Sequence, residues 1–367
     1  MRRLVKFVLL LINLVALLAL LTTYLSGHIS PEECWIPSFF GLAYPVILGI
    51  NVFFVIFWLI IRPYYMLLSL VCILAGWGYI TRFVQLSEKQ TEAGDLKIMS
   101  YNIHHFRGNG KLTQQQTANE ITLFLKDQQP DIICLQEVRL RQNNIFSLQK
   151  TVEELDFINH YQFARTSSTF GSVTLSRFPI VHMGEIRFNN SRNITIYTDL
   201  LIQQDTFRVF NVHLHSYGID PRDYNIIESG VSNEKDLKEA REMGAKLKSG
   251  FQMRASQVDT IRDMIKKTPY PAILCGDLND IPASYSYQQL RKGMKDAFVS
   301  SGKGVGRTYY NKLPALRIDY IFHSPEFQSF NFQTHKFNHS DHRPISTVLV
   351  RNQETRGKNV IERTQKN

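Results

Sequence analysis

Asp131-Ile132-Ile133-Cys134-Leu135-Gln136-Glu137-Val138 sets four apolar side chains in a row directly before an amide and a carboxylate. A short apolar run rich in β-branched residues reads as a strand buried on both faces. The polar pair that closes it then stands at the edge of a core. Upstream, residues 96–103 alternate and are β-rich, and 113–125 show helical spacing at Ile121, Phe124 and Leu125. Downstream come a helix near 144–155, strands at 161–165 and 171–176, and a β-rich region over 194–214 with a hairpin turn at Gln204-Asp205. A charged stretch at 217–250 reads as an insertion. A helix over 251–267 follows, then strands at 272–275, 317–323 and 345–350. Helices and strands that both recur, with hairpins between them, predict an α/β fold. Two mixed sheets pack face to face and carry helices on their outer faces, a four-layer α/β/β/α sandwich.

The first 85 residues are of another kind. Apolar runs occupy 4–25, 39–61 and 64–80, the first two long enough for a hydrocarbon core that needs about 20 residues. They predict an N-terminal transmembrane helical region with three spans. Arg2, Arg3 and Lys6 ahead of the first run also suit a signal peptide, but the run is too long, no small-x-small cleavage site follows, and two more apolar runs come next. The basic N-terminus and the absence of Lys and Arg from 26–38 place the N-terminus inside, and three spans then put the remainder on the non-cytoplasmic side. Arg82, Lys89 and Lys97 weigh against that orientation. The chain thus divides into a membrane region at 1–84, a polar linker at 85–95, a folded domain at 96–352 and a basic tail at 353–367, which carries Arg356, Lys358, Arg363 and Lys366.

A formal charge of +10 favours an anionic partner but names none, since solubility alone explains much of it. The four cysteines have no metal-cluster spacing. Cys34 and Cys72 belong to the membrane part, and Cys134 and Cys275 sit in apolar strands as small core residues. Of His104, His105, His335 and His339, His335 and His339 stand four apart, but no Cys-x-x-Cys pair accompanies them, which argues against a zinc cluster; 102–105 read instead as the start of a substrate-facing loop.

Polar clusters punctuate the strand ends: Ser100-Tyr101-Asn102, Gln136-Glu137, His213-Leu214-His215, Gly276-Asp277-Leu278-Asn279-Asp280 and Ser340-Asp341-His342. Each alone is more often a turn or a cap than a site. Together with Ser176-Arg177-Phe178-Pro179-Ile180 and Arg317-Ile318-Asp319-Tyr320-Ile321, and in this order, they make the domain resemble the endonuclease/exonuclease/phosphatase superfamily, in a membrane-anchored, bacterial-type form. The resemblance covers nearly all of 96–352. It implies a metal-dependent phosphoester hydrolase of the bacterial inner membrane.

Glu137 is the leading metal ligand, because Mg²⁺ wants oxygen donors and is usually held by one or two carboxylates; the resemblance gives it the same role. Asn102 would support the same ion, and Asp341 would face the metal or the phosphate. Mn²⁺ is the alternative cation. Asp277 and Asn279 share one face if the chain stays extended, although a Gly-Asp-x-Asn turn fits the spacing equally well. In the family these positions orient the attacking water. His342 is the candidate general base, since imidazole titrates near working pH, and Asp319 resembles the carboxylate that orients it. His213 matches a family histidine that stabilises charge on a phosphate oxygen, with His215 held in reserve. No Ser or Cys lies in a Gly-x-Ser-x-Gly context, so no covalent intermediate is implied. The substrate class is open. A nuclease or phosphodiesterase acting on nucleic acid leads, a phospholipid-headgroup or phosphoinositide-type phosphoesterase is second, and a catalytically inactive membrane-tethered binding module is third.

Overall fold

A computed structural model describes residues 2–92, 94–108, 110–139, 146–166, 169–218, 223, 230–310 and 317–352. The basic tail at 353–367, the start of the helix expected at 144–155 and much of 219–229 lie outside the described residues. The chain forms two compact units, one of Met1–Phe83, Tyr217–Val258 and Asp280–Leu290, the other of Val84–Ser216, Asp259–Asn279 and Arg291–Asn367.

The first unit contains the helices α1 (Arg2–Leu25), α2 (Ile36–Leu42), α3 (Tyr44–Ile61), α4 (Pro63–Ala75) and α5 (Trp77–Phe83). Among the described residues two helices are long and apolar enough to cross a membrane, Arg3–Leu25 and Tyr44–Ile61, or three spans if the next bent pair of helices counts as one. The third apolar run is α4 and α5, bent by 64° at their junction. Leu4, Phe7, Val15, Phe53 and Ile60 point outward, an apolar surface suited to lipid. Polar side chains turn inward: Asn13 donates to Ser69 Oγ (2.7 Å) and accepts from Trp58 Nε1 (2.9 Å), and Asn51 donates to the Ala16 carbonyl (3.0 Å). Such bonds fix the register of helices whose apolar faces do not discriminate between partners. In the same unit Asp280 accepts from Arg254 Nε, Tyr217 OH and Ser286 Oγ, and Phe39 packs edge-on to Phe251.

The second unit holds two six-stranded mixed sheets. The strands are β1 (Leu96–Asn102), β2 (Ile132–Arg139), β3 (His160–Arg165), β4 (Phe170–Ser176), β5 (Ile180–Arg187), β6 (Ile194–Ile202), β7 (Asp205–His213), β8 (Ala272–Asp277), β9 (Lys295–Asp296), β10 (Asp319–His323), β11 (Phe327–Thr334) and β12 (Ile345–Arg351). One sheet runs β11-β12-β1-β2-β4-β3 and the other β5-β6-β7-β8-β10-β9. Among the described residues only β1/β2 and β7/β8 pair in parallel. Strand alternation explains the layers. Ile98, Ile132 and Cys134 meet Val209, Ile273, Cys275 and Ile321 in the core between the sheets. Met99, Tyr101, Ile133 and Leu135 face the other way and pack on Ile121 and Leu125 of the helix Gln114–Gln128. That helix starts on a capping box between Thr113 and Gln116. Two packed mixed sheets with helices against them are the arrangement the sequence predicts. Cys134 and Cys275 are buried free thiols in this core.

Several element readings change. The helix expected over 251–267 starts at Glu234, inside the stretch read as an insertion. Its buried residues Leu247, Phe251, Val258 and Ile261 keep helical spacing, but the charged residues around the first turns mask it. The sequence pattern does not predict β5 and β11, because β5 buries only Ile186 and β11 has an irregular register between Phe330 and Gln333.

Candidate active site

Register brings the polar strand ends together. Asn102 pairs with Gln136 across β1/β2, and His213 pairs with Asp277 across β7/β8, so both parallel pairs deliver their C-terminal ends to one edge. Antiparallel β10 starts at Asp319, directly opposite Asp277. Buried amides tie the two sheets beneath this edge: Gln136 Nε2 donates to Asn211 Oδ1 (2.8 Å), and Asn211 Nδ2 donates to the Val173 carbonyl (2.9 Å). Two backbone features aim the carboxylates. Glu137 has φ 54° where the β2/β4 register shifts between Leu135 and Val138, and Asn279 has φ 50°. Left-handed conformations are uncommon for non-glycine residues, particularly for Glu, and cluster at sites where the chain must present a group.

Asn102 links two of the carboxylates, its Nδ2 lying 3.0 Å from Asp277 Oδ2 and 3.3 Å from Glu137 Oε1. His342 Nδ1 lies 2.9 Å from Asp319 Oδ2, and its Nε2 lies 3.7 Å from Asp277 Oδ2. His213 Nε2 is 3.4 Å from Glu137 Oε1. Asn279 donates its backbone N–H to Asp277 Oδ1 (2.8 Å) and its amide to the Leu214 carbonyl (3.0 Å). Ser340 Oγ donates to the Asn102 carbonyl (2.8 Å) and accepts from the His342 N–H (3.1 Å), which seats the Ser340-Asp341-His342 turn beside β1. Asn102, Glu137, His213, Asp277, Asn279, Asp319, Asp341 and His342 take part in this connected group, whereas Asp280 bonds Arg254, Tyr217 and Ser286 instead.

The electrostatics follow from burial and pairing. Burial pushes the Asp277 carboxyl up to about 7, against the pull of His342 and with the help of Asp319. Burial works to raise Glu137 too, but the His105 hydrogen bond and the His213 imidazole carry it well below the usual carboxylate range. For Asp341 burial is likewise outweighed, by the hydrogen bond to His104 and by His342, and its pKa falls. Burial works to lower His342, yet Asp319 and Asp277 hold it well above an ordinary imidazole. His213 moves the other way, lowered by burial against the pull of Glu137.

Residues 99–342 match the family model described as Endonuclease/Exonuclease/phosphatase family. The chain belongs to that family. Residues 5–83 match a second model, described as a domain of unknown function (DUF8431). No curated protein matches the chain. Among solved structures the chain is similar to an endonuclease/exonuclease/phosphatase family protein from Bacteroides thetaiotaomicron, with 19% identity, a TM-score of 0.52, and 70% of this chain and 98% of that one covered. It is also similar to an endonuclease/exonuclease/phosphatase from Bacteroides vulgatus (18%, TM-score 0.51, 71% and 100%) and to the human Nocturnin catalytic domain with bound sulfate anion (16%, TM-score 0.50, 70% and 94%). At these identities the likeness is one of fold. Phosphoester hydrolysis is the chemistry of the endonuclease/exonuclease/phosphatase family.

The family is metal-dependent, and the donor set of this chain fits a hard dication. Asp277, Asp319 and His342 offer ligand atoms within 4.8 Å of one another. Glu137 and Asp277, both within reach of one Asn102 amide, add a pair of carboxylates with no thiolate beside them in the group just described.

Two histidines that the sequence leaves in a loop join the group. His105 reaches Glu137 twice, with Nε2 2.9 Å from Oε2 and Nδ1 3.1 Å from the backbone carbonyl, and stacks on Phe170 at 3.8 Å. His104 Nδ1 lies 3.1 Å from Asp341 Oδ1. Both have positive φ, at 55° and 46°. Their consecutive placement directly after Asn102-Ile103 is the only signal the sequence offered, and it resembles an ordinary polar loop. Tyr309, which covers His342 edge-on at 5.1 Å, left no signal.

Proposed function

We propose that this family member is a phosphodiesterase that hydrolyses its substrate directly with water, assisted by Mg²⁺ or Mn²⁺, and that nucleic acid is its leading substrate class. One observation carries the reading. The 3.7 Å gap between His342 Nε2 and Asp277 Oδ2 is too long for a direct hydrogen bond and accommodates a water touching both. With Nδ1 of His342 facing Asp319, the Nε2 lone pair is directed at that water, ready to take its proton. Asp319 then stabilises the imidazolium that forms. Asp277 and Asn279 hold the water in line with phosphorus, their mutual hydrogen bonds fixing the pair. His213 donates to a non-bridging phosphate oxygen.

Glu137, Asn102 and Asp341 would hold the cation, which when bound supplies neutralising charge for the phosphate and the leaving oxygen. The second reading, a phospholipid-headgroup or phosphoinositide-type phosphoesterase, draws on the two helices long and apolar enough to cross a membrane. In either case we read 96–352 as the catalytic domain, on the non-cytoplasmic face of an integral membrane protein. The full chain in detergent, supplied with Mg²⁺, is tested on single-stranded and duplex DNA, RNA, phosphatidylcholine and phosphoinositide vesicles. Turnover of polynucleotides at least tenfold above lipids supports the first reading, and the reverse ratio replaces it with the second.

A further inference from the structure

The strand β9 is two residues long and reaches only Phe322 and His323 of β10. Along that edge, among the described residues, no strand lies beside the start of β10, although its first residue, Asp319, is buried and faces His342 Nδ1 at 2.9 Å. A buried backbone N–H that lacks a strand partner needs another acceptor. Thr308 supplies it. Its Oγ1 accepts from the Ile318 N–H (3.1 Å) and from the Asp319 N–H (3.2 Å), and its side chain is fully buried.

The same residue reaches the other member of the pair through its backbone. Arg343, directly after His342, donates its N–H to the Thr308 carbonyl (2.8 Å). Tyr309 and His342 then form an antiparallel bridge, and Tyr310 donates its N–H to the Asp341 carbonyl (2.9 Å). Asp319 opens a strand and His342 sits in a turn, 23 residues apart in the chain. One buried residue from a third segment is thus bonded to the backbone of both carriers, by its hydroxyl on one side and its carbonyl on the other.

We infer that Thr308 is a positioning residue: it sets the spacing of Asp319 and His342, and through it the direction in which His342 Nε2 faces the attacking water. This rests on the proposed function for the task of that pair, and deepens it by naming what holds the pair in register. The hydroxyl is the part at stake. Valine keeps the β-branch and nearly the size but loses the acceptor, whereas serine keeps the acceptor.

The test uses the full chain in detergent as Thr308→Val, Thr308→Ser, Asp319→Asn and the double variant Thr308→Val/Asp319→Asn, with folding checked by circular dichroism. Kinetics on bis(p-nitrophenyl) phosphate with Mg²⁺ are one readout. The other, independent of turnover, is the low-field proton NMR resonance of the His342 Nδ1–H bonded to Asp319, assigned by its absence from His342→Ala. Thr308→Val is expected to lower kcat by about 10–100-fold with KM within about twofold of wild type, and to shift or lose the resonance. Thr308→Ser stays within about threefold in kcat and keeps the resonance. On top of Asp319→Asn, Thr308→Val costs less than about twofold more, because a residue that acts through the pair has nothing left to position. If the valine variant unfolds, Thr308→Ala, which leaves room for a water in place of the hydroxyl, is read against the same expectations. Wild-type kcat or an unmoved resonance in the folded variant, or a full multiplicative loss in the double variant, overturns the proposal. If wild type hydrolyses nothing, the proposed reaction falls and the resonance alone decides: moved by valine and kept by serine it upholds the positioning role, and unmoved it overturns it.

Discussion

Asn102 Nδ2 stands 3.0 Å from Asp277 Oδ2, so a residue ending β1 of one sheet donates to a residue ending β8 of the other. This contact bridges the edge where the two parallel pairs terminate. It also helps keep Asp277 ionised against the pressure of burial.

Replacing Asn102 with Ala removes that donor and leaves a buried carboxylate short of one partner. The loss of about 1–3 kcal/mol corresponds to a fall in kcat/KM of roughly fivefold to 150-fold. Asn102→Asp should be worse, since it adds a like charge between Glu137 and Asp277. Steady-state kinetics on bis(p-nitrophenyl) phosphate measure both, and activity equal to wild type in Asn102→Asp would contradict the bridging role.

The pH dependence follows from His342 and Asp277. His342 acts as a base only when neutral, and although burial opposes the shift, Asp319 and Asp277 hold its pKa well above the ordinary value. Asp277, which burial raises to about 7, must also lose its proton. Both groups make the rate climb with rising pH through and beyond neutrality. Asp319→Asn lowers the His342 pKa, moves the rising limb to lower pH and reduces the plateau by on the order of 10²–10⁴-fold. A full pH–rate profile reads both effects; a limb that stays in place in Asp319→Asn would break the assigned pairing.

Gly276 has φ 148°, and a Cβ there would fall 1.9 Å from the Val212 carbonyl oxygen of the neighbouring strand. Gly276→Ala forces β7 and β8 apart at their catalytic ends. It is expected to cost about 3 kcal/mol and to lower the midpoint of thermal unfolding by several degrees, with activity falling further than stability because His213 and Asp277 are register partners.

His335 tests the fold away from the site. Burial, and secondarily Lys97, lowers its pKa to about 4, and Nε2 lies 2.8 Å from Ser346 Oγ. Its folded pKa is depressed, so the unfolded chain binds more protons between the ordinary value near 6.5 and about 4. Stability is full above pH 6.5 and declines as pH falls through that window. His335→Gln should flatten the dependence of the unfolding midpoint on pH between 6.5 and 4, as followed by circular dichroism.

The strands around Glu137 were legible because burial on both faces leaves uninterrupted apolar runs, and each run stops at the group it presents. Asn102, Glu137, His213 and Asp277 stood out for that reason, whereas Asp319 opens its strand and His342 lies in the turn before β12, and both stood out through the motifs of the family resemblance. His104 and His105 did not, since their contacts with Asp341 and Glu137 depend on left-handed backbone angles that no spacing rule encodes. The long helix from Glu234 was half hidden by its own charges, and β5 and β11 by their exposed or irregular faces.

The most direct measurement of the central claim is Mg²⁺-dependent release of p-nitrophenol from bis(p-nitrophenyl) phosphate by wild type, Glu137→Ala and His342→Ala. The account predicts hydrolysis by wild type that disappears with a chelator and returns with Mg²⁺, and a loss of at least about 10²-fold in each variant with the fold intact. Equal rates in all three proteins would contradict it.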